Sequence, residues 1–198
     1  MRVIIFCIGL ILSVAPVQAF APGIMGGGFV NQPELVLVDS QAEGSSAFLW
    51  HSLSGTADDM AGQWTTSAEY TLARFCIYLD KGDSPTTNLT GKIYSNDATP
   101  DPDTLGTLLG TSTNILDPST ITACTCGTNC EAYCFDFDGV SLSSATMYHF
   151  VLDGGSETQQ IYACTTAGGL VQRGVVSSPW TLHVSNESVI SFETYKYE

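Results

Sequence analysis

Residues 69–95 read EYTLARFCIYLDKGDSPTTNLTGKIYS. Two runs alternate apolar and polar side chains on either side of the turn cluster Lys81-Gly-Asp-Ser-Pro85. In a strand, successive side chains point to opposite faces of the sheet. Phe75, Ile77 and Leu79 therefore share one face, and Arg74, Cys76, Tyr78 and Asp80 share the other. The first set is expected in the core, and Cys76 is expected to project away from it. The second run, Thr90–Ser95, turns Ile93 inward. It leads into Asn96–Asp103, NDATPDPD, an acidic loop stiffened by Pro100 and Pro102, whose rings fix φ. Such a pattern describes antiparallel strands with one buried face.

Working outward, the same reading places a first strand at Leu35–Asp39. An apolar run at Ala47–His51 is expected to pair with it. Residues 52–66, with Gly55, Asp58, Asp59 and Gly62, read as irregular. Further strands are expected at Leu105–Thr111, Tyr133–Phe137, Thr146–Leu152, Gln160–Thr166, Gly169–Val175 and Val189–Tyr195. Asp153-Gly-Gly-Ser marks a turn between two of them. No segment sustains helical periodicity, and no fixed-period repeat appears. Many short strands separated by turn signals predict an all-β, antiparallel, jelly-roll-like sandwich. A single domain over residues 34–198 suits a chain of 198 residues.

Residues 1–19, MRVIIFCIGLILSVAPVQA, have the form of a secretory signal: a charged Arg2, an apolar stretch to Val14, and a small-x-small site ending at Ala19. The apolar stretch is short for a bilayer span. Residues 20–33, FAPGIMGGGFVNQP, read as a flexible Gly-rich lead-in. The chain carries 20 acidic and six basic residues, net −14. Removing Arg2 leaves five basic residues and a net of −15. Such a field repels nucleic acid and anionic membranes, so neither is expected as a partner, nor is membrane insertion after signal cleavage. A secreted or cell-surface location follows.

Six of the seven cysteines remain once Cys7 leaves with the signal, an even number on an oxidising route, which predicts disulfides. Cys124, Cys126, Cys130 and Cys134 lie close together, while Cys76 and Cys164 sit within separate strands. The expected partition is two local bridges within 124–134 and a long-range Cys76–Cys164 bridge, one of 15 possible pairings. The four clustered thiols offer a zinc site as the competing reading, although their spacing is C-x-C-x3-C-x3-C rather than paired C-x2-C knuckles.

For function, three features stand out. Asn96, Asp97, Asp101 and Asp103 offer the hard oxygen ligands that calcium prefers, with Asp58 and Asp59 a weaker second set. Trp64 and Trp180 lie among polar and turn residues and suit a stacking platform for sugar rings, whereas Trp50 follows Phe48-Leu49 and reads as core. Asn88-Leu-Thr and Asn186-Glu-Ser match the N-glycosylation pattern. His51, His149 and His183 fall in or beside strands, as structural histidines do, and no nucleophile elbow, metalloprotease helix or phosphate loop appears. A carboxylate pair for glycoside hydrolysis has no local motif to mark it, so a secreted hydrolase ranks last.

The order of pieces resembles a known family. An Arg-bearing strand, LARFCIYLDK, precedes GKIYS, the acidic Pro loop, TLLGT, then FDFDGVSLSSATMYHFVLDGG and a closing SFETY. From Ala68 onward this is similar to the bacterial secreted choice-of-anchor β-sandwich domains, with GVSLSSATMYHFVL most alike. The resemblance implies an extracellular or cell-surface role and carries no catalytic set. The cysteine-rich 124–134 insert and the lack of a C-terminal anchor depart from it. The expected function is a non-catalytic module that binds carbohydrate or adheres to an extracellular surface. The alternative is a structural subunit of an extracellular assembly, with self-association.

Overall fold

The computed structural model describes residues 33–44, 46–50, 59–81, 86–97, 104–154, 161–167, 171–174 and 188–198. Twelve strands form among them: β1 (Leu35–Gln41), β2 (Ser46–Trp50), β3 (Asp59–Thr65), β4 (Tyr70–Lys81), β5 (Thr90–Asp97), β6 (Thr104–Thr111), β7 (Glu131–Leu142), β8 (Met147–Asp153), β9 (Ile161–Ala167), β10 (Val171–Gly174), β11 (Ser188–Ile190) and β12 (Phe192–Tyr197). They build two antiparallel sheets. The seven-stranded sheet runs β1-β12-β4-β9-β11, with β7 also on β4 and β2 also on β9. The five-stranded sheet runs β10-β3-β8-β5-β6. The expected β-sandwich is the fold that forms. The expected leader and lead-in, residues 1–32, lie outside the described residues, as do His51, Asp58, His183 and Asn186.

The alternation of β4 does what period two demands. Phe75, Ile77 and Leu79 are fully buried between the sheets. Phe75 stacks on Phe150 of β8 at 4.2 Å between ring centroids, and on Phe192 of β12 at 5.4 Å. Phe150 in turn meets Phe135 of β7 at 5.5 Å. Aromatic pairs of this kind add about 1 kcal/mol each beyond the area they bury. One contiguous cluster from both sheets therefore forms the core.

Three expectations need correction. Residues 59–65 form a central strand, not a loop. Gly62 was the misleading signal: a Cβ there would stand 2.2 Å from Ile190 Cδ1, so a close approach of β11 demands glycine. The run at 46–50 pairs with β9, not with β1. The last expected strand is two. Ser191 separates them, its N–H donating to Cys164 O and its carbonyl accepting from Tyr78 N–H, so the chain steps from β9 to β4.

The cysteine pairing also differs. Cys76 does project away from the core, but Cys134 of β7 stands directly opposite it, with Cα atoms 4.0 Å apart, and these two form the bridge. Cys164 bonds Cys126 instead, and Cys124 bonds Cys130, the one local bridge. The neighbour of Cys76 on β4's other side is Glu193 of β12, which keeps Cys164 away. The 124–130 loop is thereby stapled to β9. Glu43 Oε1 accepts from Gly127 N–H at 2.8 Å and Cys130 N–H at 3.2 Å, and Asp80 Oδ1 accepts from Cys124 N–H at 2.8 Å.

Asp39, Tyr70 and Thr194 satisfy one another in a local network. Asp39 accepts from Ser67 N–H at 3.0 Å and from the Tyr70 hydroxyl at 3.0 Å, and Tyr70 Oη lies 2.9 Å from Thr194 Oγ1. Burial, and then the adjacent Asp39, hold the Tyr70 hydroxyl well above its ordinary range, so it stays protonated.

Candidate binding face

The residues that alternate out of the core make the outer face of the seven-stranded sheet. On β12, Phe192 and Thr194 are buried, which turns Glu193, Tyr195 and Tyr197 outward. On β4 the outward set is Arg74, Cys76 and Tyr78. Strand register aligns these into rows. Leu37, Tyr195, Arg74 and Asp136 cross four strands in one row. Ser40, Glu193, Cys76 and Cys134 form the next, and Leu35 faces Tyr197 beyond the first.

Hydrogen bonds fix the rows. Glu193 takes a hydroxyl on each oxygen: Tyr78 donates to Oε1 at 2.8 Å and Tyr195 to Oε2 at 2.5 Å. Burial and the Glu193 bond push Tyr78 up to about 12. The Glu193 bond, then burial, push Tyr195 up to about 12. Both rings are thus neutral phenols held by a common acceptor. Arg74 Nε donates to Asp136 Oδ1 at 2.6 Å, which holds the guanidinium above its ordinary value. Both side chains stay 35% exposed, so the pair adds orientation more than stability. Tyr197 and Leu37 are about half exposed.

Beside the first row the ladder is interrupted. Leu72 pairs with Val140 and Arg74 with Asp136, so Phe137, Asp138 and Gly139 stand opposite Ala73 alone. The bulge is closed by Gly139 at φ +75°, a conformation that favours glycine. It opens a cleft of about 300 Å³, lined by Thr71, Phe137, Asp138, Gly139, Lys196 and Tyr197. That volume is at the lower end for small-ligand sites. Of the five cations in residues 20–198, Lys196 lines this cleft and Arg74 stands in the adjacent row, beside Tyr195 and Asp136. The cleft and the adjacent row together offer two tyrosine rings, the Thr71 hydroxyl, the Asp138 carboxylate, the Lys196 ammonium at the cleft and Arg74 paired to Asp136 beside it. These groups stack on rings and bond hydroxyls.

The residues expected to carry function are placed elsewhere. Trp64 is 4% exposed and packs on Phe75 at 5.1 Å, Tyr148 and Phe192, so it is a core residue and presents no stacking face. Reading 52–66 as a loop put it at a rim; as a strand, position 64 points inward beside Gly62. Trp180 lies outside the described residues, as do Asp101 and Asp103. Asp97 is exposed at the end of β5, and Asn96 Oδ1 lies 2.9 Å from His149 Nε2. The platform tyrosines were legible in principle. Period two in Phe192-Glu-Thr-Tyr-Lys-Tyr197 puts Glu193, Tyr195 and Tyr197 on one face. The β7 bulge had no sequence signal beyond Gly139.

His149 is fully buried on β8, and burial pushes its pKa down to about 4 from 6.5. The folded chain therefore holds the neutral ring. Above pH 6.5 neither state is protonated, and stability is at its full value. As pH falls from 6.5 towards 4 the unfolded chain gains a proton that the folded chain refuses, and stability declines. Between pH 6.5 and 5 the loss is about 2 kcal/mol at 1.36 kcal/mol per unit. Urea titrations at both pH values are expected to show it, and His149→Gln is expected to flatten that window relative to the parent.

No family model, curated protein or solved structure matches the chain.

Proposed function

We propose that the chain is an exported, non-catalytic β-sandwich module that binds carbohydrate through the outer face of the seven-stranded sheet. The observation that carries this reading is the row Leu37–Tyr195–Arg74–Asp136, continued by half-exposed Tyr197 into the 300 Å³ cleft. Two outward tyrosine rings beside polar groups match the needs of a sugar, which has one apolar ring face and an equatorial belt of hydroxyls. Three disulfides and the signal-like residues 1–19 support an oxidising, extracytoplasmic setting. No helix among the described residues is long and apolar enough to cross a membrane.

The test is a glycan-array screen of the oxidised mature chain, with calcium and with chelator. Selective binding supports the reading. The face lies on the opposite sheet from Asn96–Asp97, so binding is expected to survive chelation; loss with chelator moves the site to the acidic loop 96–103. Tyr197→Ala is expected to weaken binding by about 2 kcal/mol, roughly thirtyfold, as loss of an exposed aromatic anchor does. Its melting transition stays within experimental error of the parent.

One observation favours the structural-subunit reading. Strand β6, Thr-Leu-Gly-Thr-Leu-Leu-Gly-Thr, ends the five-stranded sheet, carries no charge, and exposes Leu108 and Leu109. Such an edge is a template for another strand. Oligomers in sedimentation that Leu108→Lys dissolves, with a blank array, support this second reading.

A further inference from the structure

Two of the three disulfides occupy one place. Cys124–Cys130 closes a short loop, and Cys126–Cys164 ties that loop to β9. The Sγ atoms of Cys126, Cys130 and Cys164 all lie within 4.8 Å of one another, and Cys124 Sγ is bonded to that of Cys130. Four sulfurs thus converge from two elements, three from the loop and one from the sheet. A tetrahedral zinc thiolate has Zn–S of about 2.3 Å, which sets sulfurs about 3.8 Å apart. From the oxidised arrangement, the two bonded pairs must part by a little under 2 Å once reduced, and the sulfurs that are not bonded to each other must close by at most about 1 Å. The 121–130 loop has no strand pairing and can supply it. Cys126, Cys130 and Cys164 are each less than 9% exposed, the dry surroundings of a closed structural site.

The loop does not rely on its disulfides for its turn. Its N–H groups are held by side-chain oxygens: Cys124 by Asp80, Gly127 and Cys130 by Glu43, and Thr125 by Asn129 Oδ1 at 3.0 Å. Opening the S–S bonds leaves those bonds in place. Cys76 and Cys134 form a separate bridge across β4 and β7.

We propose that the reduced chain binds one zinc ion at Cys124, Cys126, Cys130 and Cys164, the sulfurs that carry two disulfides in the oxidised chain. The chemistry balances with a phosphine as reductant. Each disulfide takes two electrons and two protons, and each phosphine becomes its oxide with oxygen from water. Zinc then displaces the four thiol protons. Reoxidation by thiol–disulfide exchange with a disulfide oxidant, which takes up two electrons for each S–S bond formed, releases the metal.

The test uses the full mature chain, reduced anaerobically with phosphine and titrated with Zn²⁺, then with Co²⁺ as a spectroscopic stand-in. The expected result is one ion per chain, with tetrahedral Co²⁺ bands and sulfur-to-cobalt charge transfer. Binding is retained by the C76S/C134S double variant. Cys126→Ser is expected to weaken binding on the order of a hundredfold or more, since even outer-shell losses cost ten- to a hundredfold. Three results overturn the proposal: no binding by the reduced chain; binding that Cys126→Ser leaves unchanged; or several weak ions per chain without tetrahedral bands, as an unfolded polythiol gives.

Discussion

Phe75→Ala is expected to destabilise the fold by about 4 kcal/mol, the range for truncating a buried phenylalanine. Phe75 is fully buried and joins both sheets: it touches Trp64 of β3, Phe150 of β8 and Phe192 of β12. The neighbours are rings on three different strands, so collapse into the space is costly and most of the cavity remains. Small domains hold about 5–15 kcal/mol in all, so the variant loses a large part of its margin. Chemical denaturation of the oxidised protein measures it. Leu37→Ala, on the exposed outer face, is the control and stays within about 0.5 kcal/mol of the parent. A Phe75→Ala loss no larger than that of Leu37→Ala would contradict the sandwich core.

Removing Cys126–Cys164 has an effect of similar size. The bridge spans 38 residues of sequence, and the chain-entropy relation gives about 4 kcal/mol for a loop of that length. Cys124–Cys130 spans six and is worth about 2 kcal/mol on the same relation. The double serine variants are expected in that order of damage. Peptide mapping without reduction checks the pairing itself: a peptide carrying Cys76 joined to one carrying Cys134 is expected. Cys76 joined to Cys164 would contradict the β4–β7 register.

The same comparisons show what the residues alone reveal. Period two in Tyr70–Lys81 is a local property, so the inward set Phe75, Ile77, Leu79 and the outward set Arg74, Cys76, Tyr78 could be read before any fold was known. Pairing between distant strands is not local. Cys134 meets Cys76 because β7 lies against β4, and nothing within either segment says so. Gly62 misled for a related reason: its use is to admit Ile190, which lies more than a hundred residues away. That one residue also decided Trp64, since a strand through 62 sends position 64 into the core. The binding face depends on registers of four strands, β1, β12, β4 and β7. Its aromatic half can be read from Glu193–Tyr197, while Arg74, Asp138 and the cleft join it only through the fold.

The acidic loop illustrates the limit of composition. Asn96, Asp97, Asp101 and Asp103 together suggest a cation; Asn96 and Asp97 end β5, and Asn96 Oδ1 lies 2.9 Å from His149 Nε2, a neighbour the composition of the segment does not reveal. Charge density marks a segment as hydrated. Which oxygens are free depends on what each strand position faces.

The most direct test of the account is chemical-shift mapping of the ¹⁵N-labelled oxidised chain, titrated with the glycan that the array selects. Saturable shifts are expected centred on Thr71, Arg74, Asp138, Tyr195, Lys196 and Tyr197, with Asn96, Asp97 and His149 unmoved. Shifts centred on the five-stranded sheet, or none at saturating glycan, would contradict it.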